Sequence, residues 1–345
     1  MKKLFTFLAA TFVITTLHAK IVYLNNNLES PIISENVFIN WSDAYAAVSD
    51  GDTIYVTGSN INYGDVTIDK PLTLIGPGYY LDQKMETQIN KRPANFGGII
   101  LASGSNNSKI VGIVCPSGGS YEGIFLDDGI DNITIESCFI PRIDIEDDDG
   151  TVYNNIQIKK CYIWRAGLQS GTGSYDNGIC TNLVFSNNLV VGTMRVPGGS
   201  DGVIIHNLFM DNNLYFGSDS NLEISNNIYL NEDEDDFTIQ PLPDVSVHHN
   251  VSLTGAFGNE NDNFSAPQST LFISGSDVPD TDAQYQLSEN SPAKGAGTDG
   301  TDIGPFGGPD PYRLSGLPNL PNIYELSTGG FVSGDEMSVQ IKIKQ

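Results

Sequence analysis

The phrase NITIESCFI at residues 132–140 returns as NIQIKKCYI at 155–163, displaced by 23 positions. A near-copy at so short a period constrains the fold more than any composition does, because each copy must be one unit of a repeat architecture. Anchored on Ile133, the same phase runs through Ile110, Ile156, Leu183, Val203, Leu222 and Val245, in steps of 23, 23, 27, 20, 19 and 23 residues. Inside each unit the apolar residues alternate, as in Ile133/Ile135, Ile156/Ile158 and Leu183/Phe185. Period two means a strand with one buried face. Gly, Asn, Asp and Ser fill the spacers, which are too short for crossover helices. The leucine-rich frame L-x-x-L-x-L is absent, and propeller blades need units about twice as long. The pattern predicts an all-β chain: a parallel β-helix solenoid in which each unit is one coil and equivalent positions stack about 4.8 Å apart.

Stacking turns sequence columns into ladders. Five residues beyond the anchors stand Cys115, Cys138, Cys161, Asn188, Asn227 and Asn250, and a shorter coil offers Asn207 one place earlier. Asn suits a sharp bend because it tolerates left-handed backbone and its amide can bond to neighbouring coils. Cysteine in that column is expected as a buried thiol. Side chains stacked in one direction cannot wrap a tetrahedral ion, and a disulfide between them is awkward in direction. The next column, Phe139, Tyr162, Leu189, Leu208, Ile228 and Val251, is apolar throughout and is expected in the core.

The N-terminal stretch MKKLFTFLAATFVITTLHA has a basic start, a short apolar run and a small-residue end. It reads as a signal peptide, residues 1–19, cleaved near Ala19, which makes the protein secreted or surface-located with no membrane span after cleavage. Loss of Lys2 and Lys3 would take the formal charge from −25 to −27. So acidic a surface repels nucleic acid and anionic lipid. It is compatible with glycans and divalent cations.

A solenoid must cap its ends. In WSDAYAAVSDGDTIYV, Ser42 is expected to N-cap a short helix running to Val48, and Asp50-Gly51-Asp52 to turn into the strand Thr53–Val56. KPLTLIGPG (70–78) and GGIILASG (97–104) read as early coils. The AYAAVSDGDTIYV opening, the KPLTLIGPGY coil, the Asn-bearing repeats and the closing YQLSENSPAKGAGTDGTDIGPFGGPDPY (285–312) together resemble the secreted bacterial pectin-lyase-like family. The resemblance covers roughly residues 40–312 and implies a right-handed β-helix. It is weak for activity, since that fold hosts lyases, hydrolases, epimerases and adhesins. The organisation expected is a β-helix with its N-terminal cap over residues 20–312, then a Pro-rich linker and β tail over 313–345. In the tail MSVQIKIKQ, Val339, Ile341 and Ile343 alternate with Gln340, Lys342 and Lys344, the pattern of a half-buried strand.

Two arginines, Arg142 and Arg165, share a column nine residues beyond their anchors, and Arg195 follows one coil later. Like charges about 5 Å apart need an anion or carboxylates between them. DIEDDDG (144–150) places Asp144, Glu146, Asp147 and Asp149 beside them. A second acidic series at coil entry contains Glu122, Asp149, Asp176 and Asp201. One reading is a polysaccharide lyase: an arginine acts as base or charge neutraliser at a uronate, with Ca²⁺ held by Asp144, Glu146, Asp147, Asp149, Asp176 and Asp201. Trp164 and Tyr175 would then stack on sugar. The plainer reading, surface ion pairs and ordinary acid-Gly turns, is preferred. His206, His248 and His249 form no zinc-like spacing. The G-H-G and R-I-K elements of the related hydrolases are absent, which argues against that mechanism. The preferred expectation is an exported, non-catalytic β-helix that binds a polysaccharide or surface partner. The alternatives are the Ca²⁺-assisted lyase and an adhesin or filament subunit self-associating through the C-terminal strand.

Overall fold

A computed structural model describes residues 19–27, 35–83, 87–116, 122–145, 151–164, 166–167, 178–210, 214–231, 237–238, 244–274, 281–332 and 336–344. The alternating phrases become strands of three parallel sheets, so the chain is a right-handed parallel β-helix. The longest sheet has eleven strands and includes Ile21–Leu24, Asp52–Val56, Leu72–Ile75, Lys109–Val111, Ile133–Glu136, Ile156–Lys159, Leu183–Ser186, Asp201–Ile205 and Asn221–Ser225. Seven short strands from Phe139–Ile140 to Phe264–Ser265 form the second wall. Eight from Val66–Ile68 to Phe237–Thr238 form the third. Ile133 pairs with Ile156 and Glu136 with Lys159, as the repeat requires.

Two anchors are displaced: Val203 pairs with Val184 and Glu223, so that Gly202 fills the column of Leu183 and Leu222, and Ile110 shifts by two places. Ile110 pairs with Ile135, not Ile133, and Val114 bridges Phe139. Cys115 therefore leaves the cysteine column and lies in the interior core, with Ile113 taking its place beside Cys138. The run IVGIV offers two apolar registers two residues apart that bury the same face, so alternation alone could not separate them.

The bend column is a hydrogen-bonded ladder. Asn188 Oδ1 accepts from the Cys161 amide at 2.9 Å, and the acceptors continue through Asn207, Asn227, Asn250 and Asn263 at 2.9 Å each. Each Nδ2 also donates to a strand carbonyl of the preceding coil, such as Asn188 to Ile158 O at 2.9 Å and Asn227 to Ile204 O at 2.8 Å. The two thiols keep the same direction: Cys161 Sγ points at Ile135 O at 3.6 Å and Cys138 Sγ at Ile110 O at 3.7 Å. They stand where amides would stand, as weak donors. All four cysteines are buried and unpaired. Burial pushes the Cys180 thiol up to about 12 and holds Cys161 further above its ordinary range, so these are inert packing groups.

Preceding each ladder residue is one in left-handed backbone: Ser137, Lys160, Asn187, His206, Asn226, His249 and Asp262, with φ between 54° and 62°. Lys and His are costly there by about 1 kcal/mol or more. What holds them is the C-terminal segment, which runs back along this corner. Asn226 receives the Thr298 amide at 2.8 Å, Asn187 donates to Pro305 O and Gly307 O, and Lys160 pairs with Asp310. Further on, Tyr312 meets Tyr79 and the buried Asp282. This strap covers the outer face of the seven-stranded sheet. Tyr162, Leu189, Leu208, Ile228 and Val251 are thus buried, but outside the solenoid interior, against Leu271, Phe272, Ala293, Ile303 and Tyr312. The interior takes their neighbours Ile140, Ile163, Val190, Phe209 and Tyr229.

At the N-terminal end the helix Trp41–Ala46 closes the core through buried Ala44. Its N-cap, two residues earlier than Ser42, is Asn40, whose side chain accepts from Asp43 N at 2.9 Å, and the helix ends at Ala46 rather than Val48. At the other end of the chain, Asn322–Val332 and Glu336–Lys344 form an antiparallel hairpin, joined by a Glu325–Lys342 ion pair at 2.6 Å. Among the described residues no helix is long and apolar enough to cross a membrane.

Candidate functional site

Arg142 and Arg195 belong to the eight-stranded wall. In that sheet Ile124, Ile143, Met194 and Leu214 occupy one aligned column and their side chains fill the interior. Alternation then sends the next column outward: Phe125, Asp144, Arg195 and Tyr215. Arg142 lies just before its strand and reaches back over the coil below. Its guanidinium stands 4.7 Å from the centre of the Phe125 ring, and its Nε makes an ion pair with Asp144 Oδ2 at 2.6 Å. Arg195 lies over the Tyr215 ring at 5.2 Å. Among the described residues it has no carboxylate within ion-pair distance, and its Nε is buried without a hydrogen-bond partner. Each guanidinium–ring contact contributes about 0.5–1 kcal/mol at an exposed site and fixes the cation's plane.

Trp164 stands at the corner that leads from the seven-stranded wall into this one, and it is 54% exposed. Its amide donates to Ile140 O at 3.0 Å, so backbone pairing fixes its position on the coil. The wall therefore presents an indole, a carboxylate-bound arginine and an arginine without such a partner. Arg165, Tyr175, Glu146, Asp147, Asp149 and Asp176 lie outside the described residues.

Asp201 is elsewhere. It opens a strand of the eleven-stranded sheet, where Oδ1 accepts from the Asn182 amide at 2.9 Å. It borders a shallow depression of about 380 Å³ with Asn221, Glu223, Asp244 and His248. Glu122, expected in its series, precedes Gly123–Leu126 on the eight-stranded wall, so the structure separates these two acids. His248 approaches Glu223 at 3.6 Å and His249 at 3.0 Å. Among the described residues no group of three His, Cys, Asp or Glu is placed to hold a metal ion.

An acid that neighbours two cations is structural. Glu136 reaches Lys109 at 2.8 Å and Lys160 at 3.3 Å. Burial alone would raise its carboxyl, but Lys109, Lys160 and Lys159 outweigh that and hold it below the ordinary range.

The sequence singled out Arg142, Arg195 and Trp164 but not Phe125, the surface on which Arg142 rests. GIFL pairs with RIDI in this sheet, a register that the sequence spacing did not give. No family model matches this chain, and no curated protein matches it.

Proposed function

We propose that this is an exported, non-catalytic β-helix protein that binds a uronate-bearing glycan along its eight-stranded wall. The observation that supports this reading most is Arg195, a guanidinium oriented by Tyr215 with no carboxylate partner among the described residues, on a chain of net charge −25. In so acidic a protein a cation without a carboxylate partner among the described residues is suited to an external anion. Arg142 is already engaged by Asp144, so it orients and screens the site rather than taking the main charge. Exposed Trp164 offers an apolar ring to the flat face of a sugar. Successive coils about 4.8 Å apart suit an extended chain lying along the axis.

Calorimetry against acidic and neutral oligosaccharides tests this reading. Acidic chains are expected to bind, and Arg195→Gln to weaken them at least tenfold, with the difference shrinking as salt rises. Equal binding of neutral and acidic chains would contradict it. Release of unsaturated uronide, with or without Ca²⁺, would replace the non-catalytic part with the lyase reading.

A further inference from the structure

A second cleft lies at the N-terminal end of the molecule, away from the arginine wall. Val22, Leu24, Ile54 and Val56 point inward, so alternation turns Tyr23 and Tyr55 outward. The two are register partners, and their rings stack with centroids 5.8 Å apart and planes inclined by 23°. Tyr23 remains 49% exposed. The strap's end, with Pro318 and Asn322, and the Gln88–Asn90 stretch close around them to enclose about 270 Å³.

Three features define what fits. First, the volume lies just under the roughly 300 Å³ at which drug-sized sites begin, so it suits one ring. Second, among the described residues no charged side chain lines the cleft, in a chain where 17% of residues are charged. A charged ligand would lose hydration there without gaining a counter-charge. Third, amides of Gln88, Asn90 and Asn322, with Thr57, stand at a mainly apolar lining, and Asn322 Oδ1 is buried without a hydrogen-bond partner. A small rotation turns that acceptor toward a ligand hydroxyl, and an acceptor left unsatisfied costs about 1–3 kcal/mol.

We infer that this cleft is a subsite for an uncharged pyranose, held by its apolar face on the tyrosines and by its hydroxyls on the amides. The inference does not depend on the glycan reading of the arginine wall. Saturation-transfer NMR with maltose, cellobiose and lactose, each against its uronate counterpart, tests it on the full chain. At least one neutral sugar is expected to bind, its uronate counterpart at least tenfold more weakly. Tyr23→Ala and Asn322→Ala are each expected to weaken binding about tenfold, while Arg195→Gln leaves it unchanged. Should Tyr23→Ala fail to fold, Asn322→Ala, in the hairpin, carries the test alone. Absence of binding by every neutral sugar, binding insensitive to both cleft variants, or equal uptake of the uronates would each overturn the inference. Displacement by a proline-rich peptide without any sugar binding would also overturn it, assigning the cleft to peptide instead.

Discussion

At the residue scale, the informative positions are those where one side chain serves two coils. Asn227 accepts the Asn207 amide at 2.9 Å and donates to Ile204 O at 2.8 Å, entirely out of solvent. Asn227→Ala orphans donors and an acceptor together, so a loss of about 2–4 kcal/mol is expected in urea unfolding. A loss below about 0.5 kcal/mol would show that the ladder is decorative. The ladder's Asn residues were legible in sequence because a stacked column repeats its residue type. Asn263 was not, since the final coil shortens and leaves the phase. His206 carries a second expectation. Burial lowers its affinity for a proton, although carbonyls at Gly304 and Asp302 act against that. Above the ordinary value of about 6.5 both folded and unfolded histidine are neutral, so stability is complete there. As pH falls through that value the unfolded chain takes the proton first, and stability declines. Thermal unfolding should show this decline and His206→Asn should flatten it. Glu136 acts in a separate, lower window: its depressed folded value means stability is lost below about pH 4.3.

At the element scale, the strap decides how the seven-stranded wall is buried. The column beginning at Phe139 reads as core in sequence, and it is apolar for that reason, yet its cover is the strap and not the opposite wall. Periodicity reports that a face is buried and is silent on what buries it. The strap has almost no strands or helices, so it gave no periodic signal, and its contacts depend on glycines in left-handed backbone. Gly316 has φ of 54°, and a Cβ added there would stand 2.2 Å from the Tyr79 ring and 2.6 Å from Ser137 O. Gly316→Ala is expected to cost roughly 1–3 kcal/mol and to raise hydrogen exchange across residues 281–318. Unchanged exchange in that segment would show that the strap accommodates the added methyl at this point. The N-terminal helix was legible to within its cap, where Asn40 and Ser42 are both competent residue types and only geometry chooses between them.

At the scale of the whole molecule, three walls around one core give three kinds of surface. One wall lies under the strap, one bears a mixed face that includes the Tyr23–Tyr55 pair and the Asp201–Glu223 depression, and one carries the guanidiniums with the exposed indole at its corner. That Arg142 and Arg195 share a wall was readable because strand phase fixes it, but their columns were not: Arg195 aligns with Gly167 and Asp144, two places on from Arg142. Phe125 as the rest for Arg142 was not readable, because a side chain leaning to the coil below leaves no trace in spacing. Hydrogen exchange with a bound uronate oligosaccharide tests the central claim most directly. The account predicts slowed exchange in Ile143–Ile145, Met194–Val196 and Leu214–Phe216, lost in Arg195→Gln. Slowed exchange confined to the eleven-stranded sheet around Asp201 and Glu223, with the arginine wall unaffected, would contradict it.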